Sequence, residues 1–213
     1  MISFKNIFFL FMFYSVIGWI VEVINSFVME HKFVNRGFLI GPYCPIYGFG
    51  CTMITLFLGN NTSDFAGLFL KSAFICSVLE YTTSYLMEKI FKYRWWDYSN
   101  RKLNINGRIC LETTIPFGLG ACLIVNVINP FLFKVFESMN NTFSIVLLII
   151  LSITIIVDTL FSVIFVSKIS DIQKNTKIDT TEELKNKMIN FITRGKTFYK
   201  RIFESFPNLK RTK

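Results

Sequence analysis

Five stretches of this chain are too apolar for the surface of a water-soluble domain: residues 4–28, 42–59, 65–90, 111–134 and 143–167. A membrane-spanning helix needs about 20 predominantly apolar residues. Inside a bilayer only helices or closed barrels satisfy every backbone N–H and C=O. The five windows therefore predict an all-α integral membrane protein with five spans. The second window is short, and Pro116, Asn126, Asn129 and Pro130 interrupt the fourth. The first carries neither a basic n-region nor a small-residue cleavage motif and reads as a retained span. Composition agrees, with 52% hydrophobic residues and 17% charged. The expected organisation is a transmembrane domain over residues 1–168 and a tail over 169–213.

Charge sets the expected orientation. Of the 23 Lys and Arg residues, all but Lys5, Lys71 and Lys134 fall in loop 29–41, in loop 91–110 with Lys89 at its edge, or in the tail after 167. Five spans place these three segments on one side. The positive-inside rule makes that side cytoplasmic and puts the N-terminus outside. The net charge of +9 then marks loops that face anionic lipid, and no nucleic-acid partner is needed to explain it. Cys44, Cys51, Cys76, Cys110 and Cys122 fall singly, without a C-x-x-C, and read as buried reduced thiols. With one His in the chain, neither a metal site nor a cofactor is expected.

Two stretches match when aligned on their acids: EVINSFVME, Glu22 to Glu30, and EYTTSYLME, Glu80 to Glu88. Both read E-x3-S-x2-M-E. Each leads into an aromatic and basic loop with Arg and Gly, at Asn35–Gly37 and Asn106–Arg108, and then to a proline and a Gly-x-Gly, at Pro45–Gly50 and Pro116–Gly120. Since both hairpins would run in the same sense, the pattern predicts a parallel repeat of two hairpins with the fifth span added.

Helical spacing places the acids on polar stripes: Ser15, Gly18, Glu22 and Ser26 in the first span; Ser77, Glu80, Ser84 and Glu88 in the third; Thr154, Asp158 and Ser162 in the fifth. An ionisable group at a helix centre costs about 2.5–3.5 kcal/mol on insertion scales, so such groups face a bundle interior or a wet cavity. Small polar companions are what interior faces carry. Glu22, Glu80, Glu112 and Asp158 all fall toward the cytoplasmic half, above Arg36, Arg94 and Arg108. Two readings stay open: ion pairs that fix helix register, or a polar cavity open to the cytoplasm.

The segment NRGFLIGPYCPIYGFG, Asn35 to Gly50, packs four glycines, two prolines and two tyrosines into the approach to the second span. Pro42 and Pro45 lack amide donors and suit a first helical turn. Tyr43 and Tyr47, four apart, share a face. The segment reads either as a plain cytoplasmic turn or as a broken, re-entrant lead-in whose free amides suit an anionic ligand. In RWWDYSNRKLNINGRICL, Arg94 to Leu111, Trp95 and Trp96 fit an interfacial belt, and Asp97 is placed to pair with Arg94 or Arg101.

These motifs together, with SVIGWIVE before them and LEY at Leu79–Tyr81, resemble the bacterial family known as putative ABC-transporter type IV, or CmpB-like, common in Firmicutes. The resemblance covers about residues 10–125. It implies a permease in the bacterial cytoplasmic membrane and places Glu22, Arg36, Glu80, Arg94, Trp96, Asp97 and Arg108 in family motifs. Glu112 and Asp158 lie outside those motifs. With Tyr43 and Tyr47, the seven form the candidate substrate-binding set.

An ABC permease needs an ATPase. NFITRGKT, Asn190 to Thr197, lacks the first glycine of a P-loop and follows no strand, so any ATPase is expected on another chain. The tail instead offers a capping box at Thr180–Glu183, then an apolar face of Leu184, Met188, Phe191, Phe198, Tyr199, Ile202 and Phe206. That pattern predicts a basic amphipathic helix that lies on the inner membrane surface or docks a partner. The reading is thus a permease component without its own ATPase, partnered by the bilayer, a separate ATPase subunit and a further copy of the chain. The alternatives are a membrane enzyme or protein that binds a lipid head group, though no catalytic signature supports an enzyme, and a non-transporting scaffold or sensor.

Overall fold

The computed structural model describes residues 2–31, 33–59, 64–176 and 210–211. Helix α1, Phe4–Glu30, runs for 27 residues from an N-cap where the Ser3 hydroxyl accepts from the Asn6 amide to a left-handed C-cap at His31. Helix α2, Pro45–Leu58, has 14 residues and Pro at its first position. Helix α3, Phe65–Phe91, repeats the length and design of α1, with the Asp64 side chain accepting from the Gly67 amide and a left-handed C-cap at Lys92. After short strands β1 (Tyr93–Arg94), β2 (Asn104–Ile105) and β3 (Ile109–Cys110) come α4 (Leu111–Leu123), a π-helical turn (Ile124–Ile128), α5 (Asn129–Ser138) and α6 (Asn141–Thr176). Strands β2 and β3 pair as an antiparallel hairpin, and Lys210–Arg211 (β4) pairs antiparallel with β1.

Four helical stretches are long and apolar enough to cross a membrane: Phe4–Met29, Phe65–Phe91, Leu111–Ser138 and Asn141–Ser167. The chain is a multi-pass membrane protein. The second expected span differs, because its helix begins only at Pro45. At 1.5 Å per residue α2 is about 21 Å long, against a hydrocarbon core of about 30 Å. Non-helical chain precedes it and runs back along α1: the Cys44 amide donates to the Ser15 carbonyl at 2.8 Å, in the middle of α1. The lead-in is buried between helices at Val34, Leu39, Tyr43 and Cys44, as irregular backbone at membrane depth must be. The interruption expected in the fourth span is absorbed. Pro116 sits inside α4, and the wider π-helical turn just precedes Asn129 and Pro130. Proline cannot donate back along the helix, and the π turn takes up the misfit. Helix α6 runs past the expected boundary at residue 168 to Thr176. Most of the predicted amphipathic helix, with its capping box, and the rejected P-loop lie outside the described residues.

Helices α1 and α2 pack antiparallel, as do α3 and α4. Gly48 of α2 lies so close to α1 that a Cβ there would overlap the Phe11 carbonyl and Ser15 Oγ. Gly118 of α4 lies against Phe69 of α3, where a Cβ would come within 2.6 Å of the ring and 3.1 Å of the carbonyl oxygen. Phe11 and Phe69 are 58 positions apart, as are Glu22 and Glu80, or Ser26 and Ser84. The same contact therefore recurs in both hairpins.

One apolar cluster joins Ile54 and Leu58 to Leu68, Ala121, Cys122 and Val125. Another joins Phe9, Leu10 and Tyr14 to Leu132 and Phe136, with Leu147, Leu148 and Leu151 of α6 against it. A buried polar chain crosses the bundle beside the π turn: the Tyr14 hydroxyl donates to Asn129 Oδ1 at 2.6 Å, and Asn129 Nδ2 donates to Thr55 Oγ1 at 2.8 Å. Helix α6 is the outermost span. Its buried polar stripe holds Ser144, Asp158 and Ser162. Thr154, expected on that stripe, is exposed and donates to the Ile150 carbonyl at 2.8 Å.

Candidate functional site

The acids do not gather into one group. The polar stripes of α1 and α3 face inward as their spacing predicts, with Ser15, Gly18, Ser26, Glu80 and Ser84 buried. The loops that return toward each helix then divide the acids among three separate arrangements.

The first arrangement lies deepest. Glu22 is eight residues before the end of α1 and Glu80 eleven before the end of α3, roughly 12 and 16 Å along the axis. Tyr47, in the first turn of α2, packs its ring on Gly18 and donates to Glu22 Oε1 at 2.6 Å. Glu80 is 6% exposed and accepts from the Tyr98 hydroxyl at 3.2 Å and from Thr113 Oγ1 at 3.4 Å. The two halves use matching positions here. Tyr47 and Thr113 each stand three residues after the cysteine that precedes their helix, Cys44 and Cys110. Tyr98 comes from the aromatic loop and has no counterpart of this kind. Its burial first, then the Glu80 carboxylate beside it, pushes the Tyr98 phenol above its ordinary range, and Glu22 acts on it as well. Among the described residues, neither Glu22 nor Glu80 has a Lys or Arg partner.

The second arrangement holds the arginines. Glu88 Oε2 accepts from Arg94 Nε at 3.1 Å and from Arg108 Nη2 at 2.9 Å. Arg108 is 8% exposed, donates to Ser84 Oγ at 3.1 Å and stacks near Tyr81 and Tyr85. Arg94 also reaches Asp97 at 3.5 Å and the Asn106 carbonyl at 3.2 Å. Trp96 donates to the Arg108 carbonyl at 3.0 Å, fixing the loop that carries that arginine. In the first half, Arg36 donates to Ser26, as Arg108 does to Ser84 58 positions later. Glu112, expected with the inner acids, is exposed and pairs with Arg101 at 3.0 Å.

The third arrangement answers the question of the lead-in's free amides. Asp158 of α6 accepts from the Ile40 amide at 2.9 Å and the Gly41 amide at 2.7 Å. It also accepts from the Tyr43 hydroxyl at 2.6 Å and Ser162 Oγ at 3.1 Å. The anion those amides suit is thus a carboxylate of the same chain. Trp19 Nε1 donates to Asn35 Oδ1 at 2.7 Å, and Asn35 Nδ2 donates to the Ile40 carbonyl at 3.1 Å. Tyr43, expected beside Tyr47, turns to α6 instead.

Residues 9–163 match the family described as "Putative ABC-transporter type IV". The chain belongs to that family. No curated protein and no solved structure matches it. The family match reaches well past residue 125, where the motif resemblance ends, and takes in the π turn, α5 and most of α6. Asp158, which the motifs leave out, lies inside the family match. Of the candidate set, the structure joins Tyr47 to Glu22, while Glu80 is held by Tyr98 and Thr113, neither of them in that set. It places Arg94, Trp96, Asp97 and Arg108 in the network around Glu88, Arg36 on Ser26, and Tyr43 on Asp158. Sequence reasoning missed Tyr98, Thr113 and the pairing role of Glu88. Thr113 was open to detection through its place three residues after Cys110. At the opposite end of the bundle, an open cleft of about 520 Å³ is lined by Ser3, Lys5, Asn6, Phe133, Phe136 and Glu137.

Proposed function

We propose that this protein is the membrane permease component of a transport system, and that its working polar core is the Glu22–Tyr47 and Glu80–Tyr98–Thr113 groups. The single observation that carries this reading is Glu80: a carboxyl 6% exposed, deep in a membrane helix, bound by hydroxyls and, among the described residues, by no cation. A carboxyl used only for register is expected beside a counter-charge, as Glu88 is. The matching contacts of the two hairpins support an internal parallel duplication, with α6 added outside it. Residues 33–44 with α2 then make the remaining crossing, for five passes in all.

The basic residues support an orientation with the N-terminus outside. On it, Arg36, Arg94, Arg101 and Arg108 lie at the cytoplasmic face, and the polar core is approached from that side. The family description points to an ATPase on a separate chain, and two copies of this chain would supply a symmetric pair of membrane halves. A lipid head group is less well served, because Arg94 and Arg108 already share Glu88.

Gentle affinity purification from native membranes, with bound proteins identified by mass spectrometry, tests the partnership. A stoichiometric ATPase subunit is expected. Its reproducible absence removes the ABC part of the reading. Glu22→Gln and Glu80→Gln test the core: each should abolish uptake or export of the transported solute without loss of the folded protein. Unchanged transport by both variants overturns it.

A further inference from the structure

We infer that the cleft between the start of α1 and the end of α5 binds a zwitterion, an ammonium and a phosphate two carbons apart. Phosphoethanolamine carries that chemistry, free or as a lipid head group. The cleft lies at the opposite end of the bundle from Glu22 and Glu80, so the inference goes beyond the permease reading and stands or falls without it. Helices α1 and α5 are held together where the Phe9 and Phe136 rings meet, 5.6 Å between centroids. Ser3, Lys5, Asn6, Phe133, Phe136 and Glu137 line about 520 Å³ of open space there. On the proposed orientation this space faces the outer leaflet.

Three observations carry it. Lys5 stands in the first turn of α1, where no acid accompanies it. Glu137 stands in the last turn of α5, where no base does. A helix dipole is positive at its N-terminus and negative at its C-terminus, so each charge sits at the end of its helix that disfavours it. Among the described residues neither has an ion-pair partner, not even the other. The third observation is Asn6, 8% exposed. Its backbone amide donates to the Ser3 hydroxyl at 3.3 Å, but its Oδ1 is buried and accepts from nothing. Local rules broken together in one place mark a functional site. A zwitterion corrects all three at once. Its phosphate takes the Lys5 ammonium and the first-turn amides of α1 that Ser3 leaves uncapped. Its ammonium takes the Glu137 carboxylate and gives Asn6 Oδ1 the donor it lacks. A simple anion leaves Glu137 and Asn6 as they are, and a simple cation leaves Lys5. A quaternary ammonium has no N–H for Asn6. Phe133 and Phe136 keep one side of the cleft apolar, which strengthens both charge contacts.

The test is native mass spectrometry of the full chain purified in detergent, with phosphatidylethanolamine, phosphatidylcholine and phosphatidylglycerol added in equal amounts. Phosphatidylethanolamine should be retained about tenfold or more over either competitor, since one hydrogen bond to a charged group suffices for that factor. Lys5→Met and Glu137→Gln should each remove the preference. Neither breaks an ion pair seen among the described residues, so the fold should survive, which thermal unfolding of each variant checks. Lys134→Gln, exposed and outside the cleft, should leave the preference unchanged. Calorimetric titration of the lipid-free protein with free phosphoethanolamine separates the two sources. Binding that both cleft substitutions abolish assigns the cleft to the solute; a lipid preference without such binding assigns it to a head group. Absence of both the lipid preference and solute binding overturns the inference. So does binding that survives either cleft substitution, or that Lys134→Gln weakens as much as they do.

Discussion

Asp158→Ala is the perturbation whose outcome the structure defines most closely. The carboxylate accepts from the Ile40 amide at 2.9 Å, the Gly41 amide at 2.7 Å and the Tyr43 hydroxyl at 2.6 Å. Truncation leaves three donors in a buried place with nothing to replace the acceptor. A buried donor left unsatisfied costs about 1–3 kcal/mol. Even the low end, applied to all three, gives about 3 kcal/mol. The lead-in then lowers its energy by opening to water. Hydrogen exchange read by mass spectrometry reports this directly. In the variant, exchange of the Ile40 and Gly41 amides should accelerate on the order of a hundredfold, since each 1.4 kcal/mol is a factor of ten. The amides of α1 and α3 should keep their protection, because neither helix bonds to Asp158. Ser162→Ala removes one hydroxyl at 3.1 Å and leaves all three donors satisfied, so it should change exchange little. If peptides covering residues 38–44 exchange at the wild-type rate in Asp158→Ala, the seat on α6 does not hold the lead-in, and the account of the second crossing fails with it.

Three further outcomes are expected. Gly48→Ala places a methyl group into the Phe11 carbonyl and should destabilise the detergent-solubilised protein by about 1–3 kcal/mol in thermal unfolding, whereas Gly120→Ala, with nothing within 4 Å of the new Cβ, should be neutral; equal behaviour would refute the close approach. Glu88→Ala uncovers two arginines, one of them buried, and should cost about 3–5 kcal/mol, while Glu112→Ala breaks an exposed pair and should cost under about 1 kcal/mol, both measured by the same unfolding assay. Asn129→Ala strands the Tyr14 hydroxyl beside the π turn and should cost about 1–2 kcal/mol, partly recovered by adding Tyr14→Phe in a double-mutant cycle.

What the sequence made legible follows the range of the interactions. The polar stripes of α1 and α3 depend on residues four apart, and helical period alone turns Ser26 with Glu22 and Ser84 with Glu80 to the interior. The long apolar helices were legible for the same reason. Asp158 was not, because its partners Ile40 and Gly41 are 118 and 117 positions away and no local pattern announces that pairing. Thr154, one turn before Asp158, looked equivalent by period, yet α6 is peripheral and buries only a narrow stripe. The second span was misjudged at its start: hydropathy counts the apolar residues around Pro42 and Tyr43 as helix, but Pro45 begins it and Asp158 holds the backbone before it in a non-helical course. Tyr98 was hidden by its setting, since beside Trp95 and Trp96 it reads as one more interfacial ring, and only the fold turns its hydroxyl to Glu80.

The seat of the lead-in on α6 also orders the protein's assembly. Asp158 leaves the ribosome 118 residues after Ile40, which at about 5–20 residues per second is roughly 6–24 s later. Throughout that interval the amides of Ile40 and Gly41 and the Tyr43 hydroxyl lack their acceptor, so the first hairpin cannot settle in its final form when it is inserted. Its lead-in can take its final seat only when the last helix arrives. In this chain the earliest structure to be made is the last to be completed, and a nascent chain stalled before residue 158 is a hairpin held open.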